Sequence, residues 1–181
     1  MFRISHAGVA SAAFALGAGL TLFRQAPPAR PSDGYSIHVT APHLYKGAAS
    51  APVHHFCKPI AQDPIIVCQL YNSADPGARL MGIEYIVAKS LTRPHVPLAT
   101  WNSNFHDHTV EIASGRVQVL DQTPEDAKKT ADLVSTTDGI IFHLWPDSDG
   151  FPTGHVDIDQ AVGHTPMSAA DYAASAAPKK P

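Results

Sequence analysis

The sequence predicts an α+β fold: a single compact domain on a mostly antiparallel sheet with one or two helices. Three observations carry that expectation. Short runs rich in β-branched and aromatic residues recur along the middle of the chain, separated by turn residues. One segment carries the start signals of a capped helix. The runs do not alternate with helical segments in the way that builds a parallel sheet. Composition agrees, since 44% of the 181 residues are hydrophobic and 16% charged, a globular balance. Sixteen prolines favour loops and short elements over long helices.

Taken in order, the first element is a targeting segment. Met1–His6 holds one Arg, and Ala7–Phe23 is an uncharged run of apolar, small and hydroxyl residues closed by Arg24. A basic start, an apolar centre and a Pro-rich exit form the layout of an export signal. The run falls slightly short of the roughly 20 residues that span a bilayer. It also lacks a clean A-x-A cleavage site, so residues 1–24 are expected to be a signal peptide or an N-terminal membrane anchor. The expected location is periplasmic or secreted. Residues 25–35 read as a Pro-rich linker, 36–166 as the domain, and 167–181, rich in Ala, Lys and Pro, as a disordered tail.

Within the domain, strands are expected at Ser36–Thr40, Val53–Cys57, Ile65–Tyr71, Ile83–Val87, Thr109–Leu120 and Ile140–Trp145. Turns are expected at Lys46-Gly47, Asp63-Pro64, Asp75-Pro76-Gly77, Arg93-Pro94 and Asp147 to Gly150. The helix starts at Thr123, a capping residue, with Pro124 in its first turn and Glu125-Asp126 facing the positive end of its dipole. It runs to about Ser135, with Ala127, Ala131 and Val134 on one face.

Thirteen Lys and Arg against sixteen Asp and Glu give a formal net charge of −3, which offers no electrostatic footprint for nucleic acid. There is no G-x-S-x-G elbow, no phosphate-cradling glycine loop and no H-E-x-x-H helix, and nothing supports a nucleotide cofactor. Whether the chain is an enzyme stays open.

The polar chemistry gathers in a few places. In Phe105-His106-Asp107-His108-Thr109-Val110-Glu111, a strand would project His106 and His108 from one face. Two imidazoles on one face are a ready pair of metal ligands, with Glu111 as a third. Glu111 would fall on the opposite face of a straight strand, so a turn or bulge near Thr109 is needed to bring it round. His54 and His55 are neighbours, so at most one of them can join that site. Cys57 and Cys68 lie on consecutive expected strands and could pair as a disulfide, or each could be a small buried residue. Glu84, inside the apolar run Met81–Val87, is costly to bury unless paired or bound. It is expected to pair with Arg79, to ligate, or to face solvent. His143, set between aromatic and aliphatic neighbours, is a core histidine or a further ligand.

At these residues the chain resembles the oil body-associated proteins. The likeness rests on Val53-His54-His55-Phe56-Cys57, Val67–Ser73, Ala78–Val87, His106–Gly115, and Phe142-His143-Leu144-Trp145 with Pro152-Thr153-Gly154, in family order across roughly 37–159. The resemblance implies a single compact domain of uncharacterised activity. In plant members it implies association with lipid droplet surfaces. It supplies no established catalytic residues. The chain departs from the family pattern in having Phe105 and Phe142 where Trp is expected, and in its acidic loop Asp147–Gly150.

Two functions are therefore expected as alternatives. One is an exported domain binding a divalent transition metal or a small ligand through His106, His108 and Glu111, completed by His54 or His55 and Glu84. The other is a non-enzymatic protein that docks on a lipid or membrane surface.

Overall fold

The computed structural model describes residues 33–145 and 149–176. The expected export segment, residues 1–24, and residues 25–32 of the expected linker lie outside the described residues, as do Pro146, 147–148 of the acidic loop and 177–181 of the expected tail. Among the described residues no helix is long and apolar enough to cross a membrane.

The chain builds β1 (Ile37–Tyr45), β2 (Ala48–Ala61), β3 (Ile65–Tyr71), β4 (Leu80–Ala88), α1 (Lys89–His95), α2 (Leu98–Asn104), β5 (Phe105–Asp107), α3 (His108–Ala113), β6 (Gln118–Leu120), α4 (Pro124–Ser135), β7 (Thr137–His143) and α5 (Ala169–Ala176). The strands form one sheet in the order β5-β7-β4-β3-β2-β1-β6, and every pairing is antiparallel. The α+β expectation holds in its coarse form, with more helices than the one or two expected. The β1–β2 hairpin closes at Lys46-Gly47, both in the left-handed region (φ 50° and 79°). That backbone twist matches a tight hairpin, and glycine adopts it without steric cost.

The sheet curls strongly. On a flat sheet β1 and β7, four strand spacings apart, would stand about 19 Å from each other. Yet His43 of β1 and His143 of β7 approach to 3.3 Å between ring nitrogens. The segment after β7 spans the gap, bridging His143 to Asp157 and His43 to Ala161. Register puts Cys57, Cys68, Glu84 and Ile141 side by side on the inner face, with His55, Leu70, Gly82 and His143 in the next row. That face holds the apolar core of Val53, Cys57, Ile66, Cys68, Leu70, Ile86 and Ile141. Cys57 and Cys68 are joined as a disulfide.

Two expectations are corrected. Thr109–Leu120 is not a strand: α3 occupies its start and only β6 its end. The Asp107 side chain accepts from the Thr109 backbone N–H and caps α3, overriding the β-branched residues inside it. Arg93-Pro94 is not a turn but lies in the last turns of α1. There Thr92, Arg93 and Trp101 all donate to the fully buried Asp138 carboxylate, and Arg93 also pairs with Asp107. This buried network anchors the helix whatever its local propensity. Within the expected tail 167–181 the chain forms α5, where Tyr172 is buried and donates its hydroxyl to the Val96 carbonyl. Glu84 meets neither Arg79 nor solvent. It is buried on the inner face, while Arg79 stacks over the Trp145 ring at 4.8 Å.

Candidate metal centre

Six polar side chains converge on the inner face, delivered by five elements. His43 comes from a β1 bulge, His55 from β2, Glu84 from β4, His106 from β5, and His108 and Glu111 from α3. All six are 2–4% exposed. His106 and His108 do share a face, but across a strand-to-helix junction and not along one strand. One helical turn then carries Glu111 alongside His108, since positions three apart in a helix are neighbours.

Glu84 is the hub. Its Oε1 lies 3.2 Å from His106 Nε2 and 3.2 Å from His108 Nε2, and those two nitrogens are 3.3 Å apart. Its Oε2 lies 3.3 Å from His55 Nε2, which in turn is 2.9 Å from His43 Nε2. Glu111 Oε2 is 3.4 Å from His106 Nε2 and 3.8 Å from His108 Nε2. Two trios result, His43–His55–Glu84 and Glu84–His106–His108, each with its ligand atoms within 4.8 Å of one another.

The ring nitrogens on the far side fix which nitrogen faces Glu84. His55 Nδ1–H donates to the Val53 carbonyl, which can only accept, at 2.9 Å. Thr137 Oγ1 gives its own proton to the Val134 carbonyl and so accepts from His108 Nδ1–H at 2.9 Å. In the neutral rings, Nε2 of His55 and His108 therefore presents a lone pair towards a carboxylate oxygen. Two acceptors in contact need a proton or a cation between them. Orientation through Nδ1 is the usual arrangement behind metal-ligating histidines. His106 Nδ1 and His143 Nδ1 are buried without a hydrogen-bond partner among the described residues.

Electrostatics point the same way. Burial alone would raise the Glu84 carboxyl, but its contacts with His106, His108 and His55 hold it well below the usual carboxylate range. Burial would lower His108, yet the hydrogen bond and charge of Glu84, with the charge of Glu111, raise it above its ordinary value. Burial and the neighbouring His55 keep His43 well below the ordinary imidazole value, and hence neutral. The space among these groups is about 20 Å³, a scale suited to small ions or water and far below an organic ligand pocket. Gly139 opens this room: a Cβ there would collide with Glu84 Oε1 and His106 Nε2.

Comparison with known proteins now adds to the geometry. Residues 29–174 match the family described as "Protein of unknown function (DUF1264)". The chain belongs to this family. It is 31% identical over 138 residues to Oil body-associated protein 1B of Arabidopsis thaliana, covering 73% of this chain and 55% of that protein. It is 29% identical over 123 residues to Oil body-associated protein 1A of Zea mays, covering 65% and 50%. The chain thus spans about half the length of these curated relatives, and the resemblance to the oil body-associated proteins holds. No solved structure matches it.

In this DUF1264 domain the sequence-predicted residues divide cleanly. His55, Glu84, His106, His108 and Glu111 meet. His54 does not: it lies on the outer face, its Nδ1 2.9 Å from His38 Nε2, and His38 Nδ1 pairs with Asp121 at 2.6 Å. His143 touches His43 and not Glu84, which makes it a support for the cluster. Cys57 and Cys68 border the site through register, Cys68 directly opposite Glu84. Two residues escaped sequence reasoning. His43, in Ala41-Pro42-His43-Leu44, carries no local signal, and only the curl brings it in. Gly139 follows Asp138, and Asp-Gly is a turn signal, whereas here both lie within β7.

Proposed function

We propose that this DUF1264 domain binds a divalent transition metal ion through Glu84, His106 and His108, with Glu111 beside them. The observation that carries the reading is the near-equilateral triangle of Glu84 Oε1, His106 Nε2 and His108 Nε2, with sides of 3.2, 3.2 and 3.3 Å. Ligands bound at about 2.0–2.1 Å with tetrahedral angles are spaced by about 3.3 Å. Imidazole with carboxylate suits first-row ions such as Zn(II), Fe(II) or Mn(II).

The chain's own residues then have separate tasks. Thr137 holds the His108 ring in the binding tautomer, Glu84 neutralises charge, and Gly139 keeps the space open. A bound ion lowers the pKa of a water attached to it. Glu111, 3.4 Å from His106 Nε2, would be the nearby carboxylate to take up that proton or to serve as a further ligand. The test is metal content by mass spectrometry on purified chain, beside a His106→Ala, His108→Ala double variant. Near-stoichiometric metal that the variant loses supports the reading. Substoichiometric metal in the unaltered chain after dialysis at neutral pH overturns it.

A second reading, docking on a lipid surface, draws on the exposed apolar side chains of one loop segment. Phe151 is 68%, Val156 51% and Ile158 38% exposed. It also draws on the relatives' name. Flotation of the chain lacking residues 1–31 with phospholipid vesicles tests it, and failure to float removes it.

A further inference from the structure

We propose that the domain holds a second metal ion, bound by His43, His55 and the other oxygen of Glu84, so that one carboxylate bridges two ions. This rests on the single-ion reading above and extends it.

Glu84 is shared between two sets of imidazoles. Oε1 faces His106 and His108, and Oε2 faces His55. The two trios have only Glu84 in common, so the ion held by one does not account for the other. The His43 trio lacks its positive partner. His55 Nδ1–H is committed to the Val53 carbonyl, leaving the Nε2 lone pair to meet both Glu84 Oε2 at 3.3 Å and His43 Nε2 at 2.9 Å. A single proton on His55 Nε2 points at His43 Nε2 or at Glu84 Oε2 but not squarely at both. A cation satisfies all three groups together.

The spacing fits an ion. Two nitrogens bound at about 2.0–2.1 Å and at right angles are about 2.9 Å apart, the His43–His55 separation. The outer side is prepared as well: His43 Nδ1 lies 3.3 Å from His143 Nε2, so donation to His143 aims the opposite nitrogen at the ion.

The test counts ions. The full chain is stripped with chelator, reloaded with excess Zn(II), freed of unbound metal and assayed for zinc per chain. Two ions are expected, falling to one in a folded His43→Asn variant. One ion in the unaltered chain overturns the second site and leaves the first standing, whereas none overturns both. A folded His43→Asn chain that keeps two ions, or loses both, also overturns the assignment. Independently of any variant, loading the unaltered chain with Mn(II) gives an exchange-coupled resonance spectrum if a carboxylate bridges the pair. An uncoupled six-line spectrum at full loading overturns it.

Discussion

His54 and His55 are adjacent in the chain yet serve opposite faces of β2. His55 Nε2 lies 3.3 Å from Glu84 Oε2 inside the curl, and His54 Nδ1 lies 2.9 Å from His38 Nε2 outside it. The two-residue period of a strand makes this separation unavoidable. His55→Ala is therefore expected to lower metal content, and His54→Ala to leave it unchanged. Paired metal assays on the two purified variants check this. Equal losses in both would contradict the division of faces.

Thr137 touches no proposed ion, but its hydroxyl fixes the His108 tautomer. Thr137→Val keeps the shape and removes that acceptor. Metal affinity is expected to fall by about 10- to 100-fold, as for other groups that orient a ligating histidine. Calorimetric titration with Zn(II) reads the change, and Thr137→Ser should restore most of it.

Gly139→Ala tests the room at the centre. Its Cβ would press on Glu84 Oε1 and His106 Nε2. Overpacking of this kind costs about 1–3 kcal/mol. The variant is expected to melt earlier in the presence of chelator and to bind little metal. A variant with unchanged affinity would mean that the ion lies elsewhere.

Cys57 and Cys68 close a short loop across the β2–β3 hairpin. Removing a cross-link of this kind restores chain entropy to the unfolded state and typically costs about 2–4 kcal/mol. The Cys57→Ala, Cys68→Ala variant should unfold at lower urea concentration than the oxidised chain. The reduced chain should move in the same direction.

What the sequence disclosed follows from which forces are local. Pro124–Ser135 was legible because cap, proline and acidic first turn all lie within four residues, and Thr123 does accept from the Asp126 backbone. The β3 bounds Ile65–Tyr71 were legible because a run rich in β-branched and aromatic residues is closed by turn residues on both sides, Asp63-Pro64 before it and Asp75-Pro76-Gly77 after it. The strand expected from Thr109 failed because Thr109, Val110 and Ile112 favour extended backbone, while the deciding interaction is one cap from Asp107. That capping residue was the available signal. At the site, His106, His108, Glu111, His55 and Glu84 stood out as polar groups in apolar or clustered settings. His43 did not, since its role depends on a curl that sums the twist of several strand pairs.

The wide scatter of the cluster along the chain has a bearing on assembly. Its groups run from His43 to Glu111, and the strand that supplies Gly139 and His143 must also be seated. No hairpin or consecutive pair of elements contains a complete set of ligands. Tight metal capture should therefore arise late in folding, after the distant strands have paired. Fragments that stop short of β7 should compete poorly for the ion. Metal uptake measured in a refolding experiment would then report completion of the tertiary structure, and not the appearance of its first hairpins.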